Sequence, residues 1–165
     1  MPTFFDTTQV TKPSDHEVKV TRSFKAPREL VYEAYTTPDL LQRWLGGPGW
    51  SMPVCEMDVR VGGKFKWLWR SDEGGQEFGF HGEFIEVNAP AKLVNTEHYD
   101  AGTFGGDMGD GSLNTTEFIE DKGFTTLTVL MRYKTKQACD AALATGMTDG
   151  MEQSYQQLDA LLQKR

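Results

Sequence analysis

Cysteine is scarce in this chain. Cys55 and Cys139 are the only two in 165 residues. They are too far apart for a CxxC pair, so neither a disulfide framework nor a thiolate metal site is expected. Long apolar runs are missing too. Nothing approaches the ~18 consecutive apolar residues of a membrane span. The opening Met1-Pro2-Thr3-Phe4-Phe5-Asp6 lacks the basic stretch and apolar core of a secretory signal. Positive charge is in deficit, with 17 Lys and Arg against 24 Asp and Glu and a net charge of −7. That balance repels phosphate backbones and anionic lipid heads, which argues against nucleic acid as a partner and against membrane insertion. A reduced, cytoplasmic protein is the expectation.

Aromatic residues are what the chain has in excess. Four Trp, five Tyr and ten Phe make 12% of a chain that is only 38% hydrophobic. A single domain of this length buries roughly 70% of the surface its unfolded chain exposes, so it needs no staple to fold.

Residues 1–15 are polar and without period, and are expected as a flexible arm ahead of one domain over residues 16–165. In residues 16–24, Val18, Val20 and Phe24 alternate with Lys19, Thr21 and Ser23. This predicts a half-buried strand with Arg22 unexpectedly on the apolar side. Pro27 suits the first position of a helix carrying Leu30, Val31, Ala34 and Tyr35. Thr37, Pro38 and Asp39 start a second helix that carries Leu41 and Trp44 and stops at Gly46-Gly47.

Residues 52–133 read as strands separated by turn clusters such as Gly62-Gly63, Asn88-Ala89-Pro90 and Asp121-Lys122-Gly123, hence an antiparallel meander. Each strand has one apolar stripe: Cys55, Met57, Val59 and Val61; Phe65, Trp67 and Trp69; Phe78, Phe80 and Phe84; Leu127, Val129, Met131 and Tyr133. Residues 101–111, with five glycines, are expected as a mobile loop. Residues 136–164 read as one long helix. At 100° per residue, Leu143, Met147, Met151, Tyr155, Leu158 and Leu162 share a face, with Gly150 and Ser154 on its edge. Small residues there either leave space beneath the helix or permit close packing, and the sequence leaves both open. The order predicts an α+β fold, a curved antiparallel sheet of about seven strands gripping a C-terminal helix, with two short helices between the first two strands.

Several stretches carry a resemblance: residues 24–31 (FKAPRELV), 44–50 (WLGGPGW), 52–56 (MPVCE) and 60–65 (RVGGKF), then Gly82 to Val87 with Pro90, and Gly146-Met147 through Tyr155 and Leu158. In that order the chain resembles the START and Bet v 1 type domains of the SRPBCC superfamily. More narrowly it resembles the bacterial branch similar to the C-terminal domain of the Hsp90 ATPase activator (AHSA1-like). The resemblance implies a helix-grip fold with an elongated cavity between sheet and long helix, used by members for lipids, sterols, polyketides or other apolar molecules. It implies no particular activity, since a fold does not fix a function.

The aromatics can be read as walls of such a cavity or as a solid core. The cavity reading names Phe65, Trp67, Trp69, Phe78, Phe80, Phe84, Met147, Met151 and Tyr155, with Trp44 and Trp50 closing one end and His98 as an inward polar handle. The alternation of Lys64, Lys66 and Arg70 with these aromatics resembles a base-stacking strand, but such strands need an open face, which here the helix requires. His81-Gly82-Glu83 has the HxE spacing of zinc deaminases without the PCxxC that completes the site, and Asp107 and Asp110 lack an EF-hand spacing. No metal, cofactor or catalytic residue is expected. The favoured function is binding of an apolar small molecule. A cyclase using the same cavity, with His98 or Arg22 as acid or base, and a chaperone-interacting protein are the alternatives.

Overall fold

The computed structural model describes residues 3–46, 49–100 and 111–164. Strands Gln9–Ser14 (β1) and Glu17–Phe24 (β2) lead into helices Arg28–Thr36 (α1) and Pro38–Trp44 (α2). A run of strands follows: Trp50–Met57 (β3), Lys64–Ser71 (β4), Glu77–Asn88 (β5), Lys92–Asp100 (β6), Ser112–Asp121 (β7) and Phe124–Tyr133 (β8). Helices Lys136–Ala144 (α3) and Met147–Gln163 (α4) close the chain. All strands join one antiparallel sheet in the order β1-β2-β8-β7-β6-β5-β4-β3. Because β2 and β3 lie near opposite edges, the α1–α2 connection has to cross the width of the sheet.

The helix-grip architecture is present, with eight strands rather than about seven. The additional strand comes from the segment expected as a loose arm, where Val10 pairs with Val20 and Thr11 with Lys19. Every residue of β1 is exposed. An edge strand with no buried face carries no apolar alternation to read, and an edge tolerates Pro13. The predicted single C-terminal helix is in fact two. Gly146 adopts a φ of 78°, which glycine enters without steric cost, and it ends α3 and starts α4. Leu143 thus lies on a different helix from the Met147 to Leu162 stripe. Val59 and Val61 fall beyond the end of β3, and Val61 is 68% exposed. Gly47, Pro48 and residues 101–110, including Asp107 and Asp110, lie outside the described residues. None of the described helices is long and apolar enough to cross a membrane.

The interior has two unlike halves. In one, Val18, Val20 and Phe24 of β2, Val31 of α1, Leu41 of α2, Phe118 of β7 and Leu127 of β8 pack fully against Leu158 and Leu162 of α4. Tyr35 and Tyr32 set their rings edge-on against Phe118. In the other, the first turns of α4 stand away from β4 to β7.

Arg22 clamps the solid half. Its side chain is 2% exposed, and the partner that the sequence does not reveal is a pair of carboxylates on α4. Nε donates to Glu152 Oε1 at 3.1 Å, and Nη2 donates to Glu152 Oε2 at 3.3 Å and to Asp159 Oδ2 at 2.9 Å. Nη1 donates to the Ser23 carbonyl at 3.0 Å, and the guanidinium lies 5.2 Å from the Phe24 ring centroid. Glu152 also accepts from the Thr8 backbone N–H and hydroxyl at 2.9 and 2.6 Å, tying the N-terminal segment to the same point. A buried guanidinium is tolerated only when its donors are satisfied in this way.

Burial raises the Glu152 carboxyl, but the hydrogen bonds from Arg22 and Thr8 outweigh it and hold the group at about 2 rather than the usual 4.5. A depressed folded pKa contributes stability above pH 4.5 that is lost as pH falls towards 2. Glu152→Gln is therefore expected to cost about 1–3 kcal/mol at pH 7. It should also flatten the acid limb of a stability profile measured by urea unfolding from pH 5 to 2.

Candidate functional site

A cavity of about 590 Å³ lies between the first turns of α4 and the inner face of β4 to β7. Strand parity builds its apolar wall. Phe65, Trp67 and Trp69 alternate inward along β4, and Phe78, Phe80 and Phe84 do so along β5. Trp67 lies opposite Phe80 and Trp69 opposite Phe78, so the rings meet across the strands. The Trp69 and Phe78 rings stack at 5.2 Å, while Trp67 meets Trp69 edge-on at 6.2 Å. Trp44 from α2 and Trp50 from β3 complete this side, so all four tryptophans of the chain line the cavity.

Met147, Met151 and Tyr155 line it from α4. Gly150 also lines it while being exposed, which puts it at the rim, and a Cβ added there would meet nothing within 4 Å. One end is tied shut by Gly46. Its N–H donates to Ser154 Oγ at 3.0 Å and its carbonyl accepts from Gln157 Nε2 at 2.6 Å, while Trp69 Nε1 donates to the Leu45 carbonyl at 3.3 Å. Gly46 has a φ of 103°, and a side chain there would collide with the Trp69 indole. The aromatics thus neither simply fill the interior nor simply line it. Phe65, Trp69 and Phe84 are buried and still present surface to the space.

The opposite wall is polar. On β6, Leu93, Asn95, Glu97 and Tyr99 face inward, and on β7 Ser112, Asn114 and Thr116 do so. Asn95 pairs with Asn114 and Glu97 with Ser112, which gathers these side chains into one band. The Ser112 hydroxyl donates to Asn114 Oδ1 at 2.8 Å, and Asn114 hydrogen-bonds the Glu97 carboxyl. Asn95 Nδ2 donates to the Thr96 carbonyl at 3.0 Å, leaving its Oδ1 to accept. Burial pushes the Glu97 carboxyl up to about 7, against the smaller opposing pull of Asn114. Burial likewise raises the phenols of Tyr35 and Tyr133, with Glu97 contributing to both. One buried donor, Trp67 Nε1, has no hydrogen-bond partner among the described residues.

His98 does not belong to this site. Phe80 pairs with Tyr99 and His81 with His98, so His98 shares the outer face with His81, their rings stacked at 5.1 Å. His81 Nδ1 lies 2.7 Å from Asp100 Oδ2. The expected inward histidine misses by one residue, and the inward polar group is its neighbour Glu97. Counting by twos from Leu93 gives Asn95, Glu97 and Tyr99. The adjacent buried Val94 and the irregularity in the β5–β6 pairing between Phe84 and Glu86 obscure that count. Arg22 is also outside the cavity, fully engaged with its two carboxylates. No group of His, Cys, Asp and Glu able to hold a metal occurs among the described residues.

The family model described as "Activator of Hsp90 ATPase homolog 1-like protein" matches residues 25–163. Among solved structures, the chain is similar to a protein from Rhodobacter sphaeroides at 31% identity and a TM-score of 0.88, covering 97% of this chain and 100% of that one. A protein from Mycobacterium smegmatis is similar at 25% identity and a TM-score of 0.83, covering 94% and 96%. An AHSA1-like protein from Aeromonas hydrophila shares the fold at 21% identity and a TM-score of 0.68, covering 87% and 93%. No curated protein matches the chain.

A carboxyl raised by folding contributes stability below pH 4.5 that is lost as pH rises to about 7. Glu97→Gln removes that loss. The variant is expected to melt higher than the wild type at pH 8, with the difference shrinking towards pH 5, in thermal melts across that range.

Proposed function

Since the chain belongs to the Activator of Hsp90 ATPase homolog 1-like family, with its SRPBCC-type helix-grip fold, we propose that it binds an apolar small molecule in the cavity between α4 and β4 to β7. The observation that carries this reading is the cavity itself. A close-packed interior leaves few voids larger than a water, whereas about 590 Å³ lies within the size range of small-molecule sites. Eight aromatic rings on β3 to β5 and α2 supply flat, polarizable surface, and Met147 and Met151 supply thioethers that adapt to a guest's shape. The inward turn of these rings leaves them poorly placed to stack bases. The two cysteines are free thiols, which suits a reducing compartment such as the cytoplasm.

An enzyme using the same space is the second reading, and one observation favours it. Glu97 faces the cavity with a pKa of about 7, where a carboxyl can both give and take a proton. His98 and Arg22 are poorly placed for that role. A chaperone-directed role has the family description alone in its favour.

The binding reading expects the purified protein to release an apolar compound on organic extraction. It also expects tryptophan emission to shift when lipid-like or polyketide-like compounds are added, because every tryptophan lines the cavity. Gly150→Leu should weaken that response by projecting into the rim, without destabilising the fold, since glycine in a helix costs up to about 1 kcal/mol relative to better helix formers. Extraction of nothing, together with an unresponsive emission spectrum, would count against the proposal.

A further inference from the structure

The polar band of the cavity has a sign. Among the described residues, Glu97 is the only Asp or Glu that lines the cavity, and no Lys, Arg or His does. Arg22 cannot turn inward without abandoning Glu152 and Asp159. The band is also biased in hydrogen bonding. Glu97 and Asn95 Oδ1 offer acceptors, while the Ser112 hydroxyl and the Asn95 amide N–H already donate within the protein.

Two features run the other way: Trp67 Nε1, a buried donor without a partner among the described residues, and the N-terminal end of α4, where Gly146 and Met147 line the cavity. A helix start carries roughly half a positive charge. Here it is offset by Asp149 in the first turn of α4 and by the C-terminal end of α3 meeting it at Thr145. The titratable groups facing Glu97 from other elements are the phenols of Tyr35 on α1 and Tyr133 on β8. Both have raised pKa values and stay neutral near pH 8, while β7 contributes only neutral side chains.

Resting on the small-molecule reading above, we infer that the cavity selects ligands with an apolar, ring-bearing body and an O–H or N–H donor at the polar end, neutral or cationic, and rejects carboxylates. Glu97, braced by Asn114 and Ser112, is the group that reads that end. A bound carboxylate would place a second negative charge beside Glu97 in a site poor in water, where like-charge repulsion is strong. Such a ligand is tolerated only while Glu97 keeps its own proton, so its affinity should fall as pH rises above 7. A fatty acid or an anionic phospholipid is therefore the wrong cargo for this protein.

Four probes with one ring system test this by tryptophan quenching or calorimetry at pH 8: naphthalene, 2-naphthylmethanol, 2-naphthylmethylamine and 2-naphthoate. The alcohol and the amine are expected to bind at least about tenfold more tightly than the naphthoate, with naphthalene setting the apolar baseline. Glu97→Gln should narrow the gap by raising naphthoate affinity and lowering amine affinity. Naphthoate binding as tightly as the alcohol in the wild type would overturn the charge selection while leaving the cavity reading intact. An unchanged pattern in a folded Glu97→Gln variant would overturn the assignment to Glu97. Failure of all four probes, naphthalene included, would overturn the cavity reading itself and this inference with it. The wild-type comparison stands alone if the variant does not fold.

Discussion

The clamp between Arg22 and α4 governs the interior. Glu152 and Asp159 lie seven residues apart and so return to one side of the helix, where a single guanidinium on β2 takes both. Leu158 and Leu162 bury their side chains along the same stretch, and Ser154 and Gln157 fasten the α2–β3 connection through Gly46. Fixed at several points from Glu152 onward, α4 has no freedom to sink onto the sheet. Its first turns are thereby held above β4 to β7, and the space beneath them persists. The clamp and the cavity are two consequences of one placement of the helix.

That placement was only partly legible in the sequence. The strand meander, the inward parity of Phe65, Trp67 and Trp69 and the small residue at 150 follow from period and composition. Arg22 was visible as a misfit on an apolar stripe, but its partners lie 130 and 137 residues away and no local pattern links them. β1 was hidden because its residues are all exposed and so have no alternation. The break at Gly146 was hidden because the helical phase either side of it happens to agree. His98 rather than Glu97 is expected inward because the choice between them is a one-residue question of register, and register is set by pairing with β5 and β7 rather than by β6 alone.

The resulting cavity is amphipathic. Aromatic rings and thioethers occupy the side formed by β3 to β5 and α4, and hydrogen-bonding groups with one carboxyl occupy the side formed by β6 and β7. This division favours guests that are themselves divided into an apolar body and a polar end. It also places the Glu97 carboxyl at the polar side, where burial makes its charge costly.

The most direct test of the cavity account uses the methionines as reporters. Met57, Met131, Met147 and Met151 line the cavity, whereas Met52 on β3 does not. In a protein labelled with ¹³C at the methionine methyls, titration with a neutral naphthalene derivative should move the signals of those four and leave Met52 in place. Stationary signals for the four, or movement of Met52 alone, would contradict a guest-accepting space between α4 and the sheet.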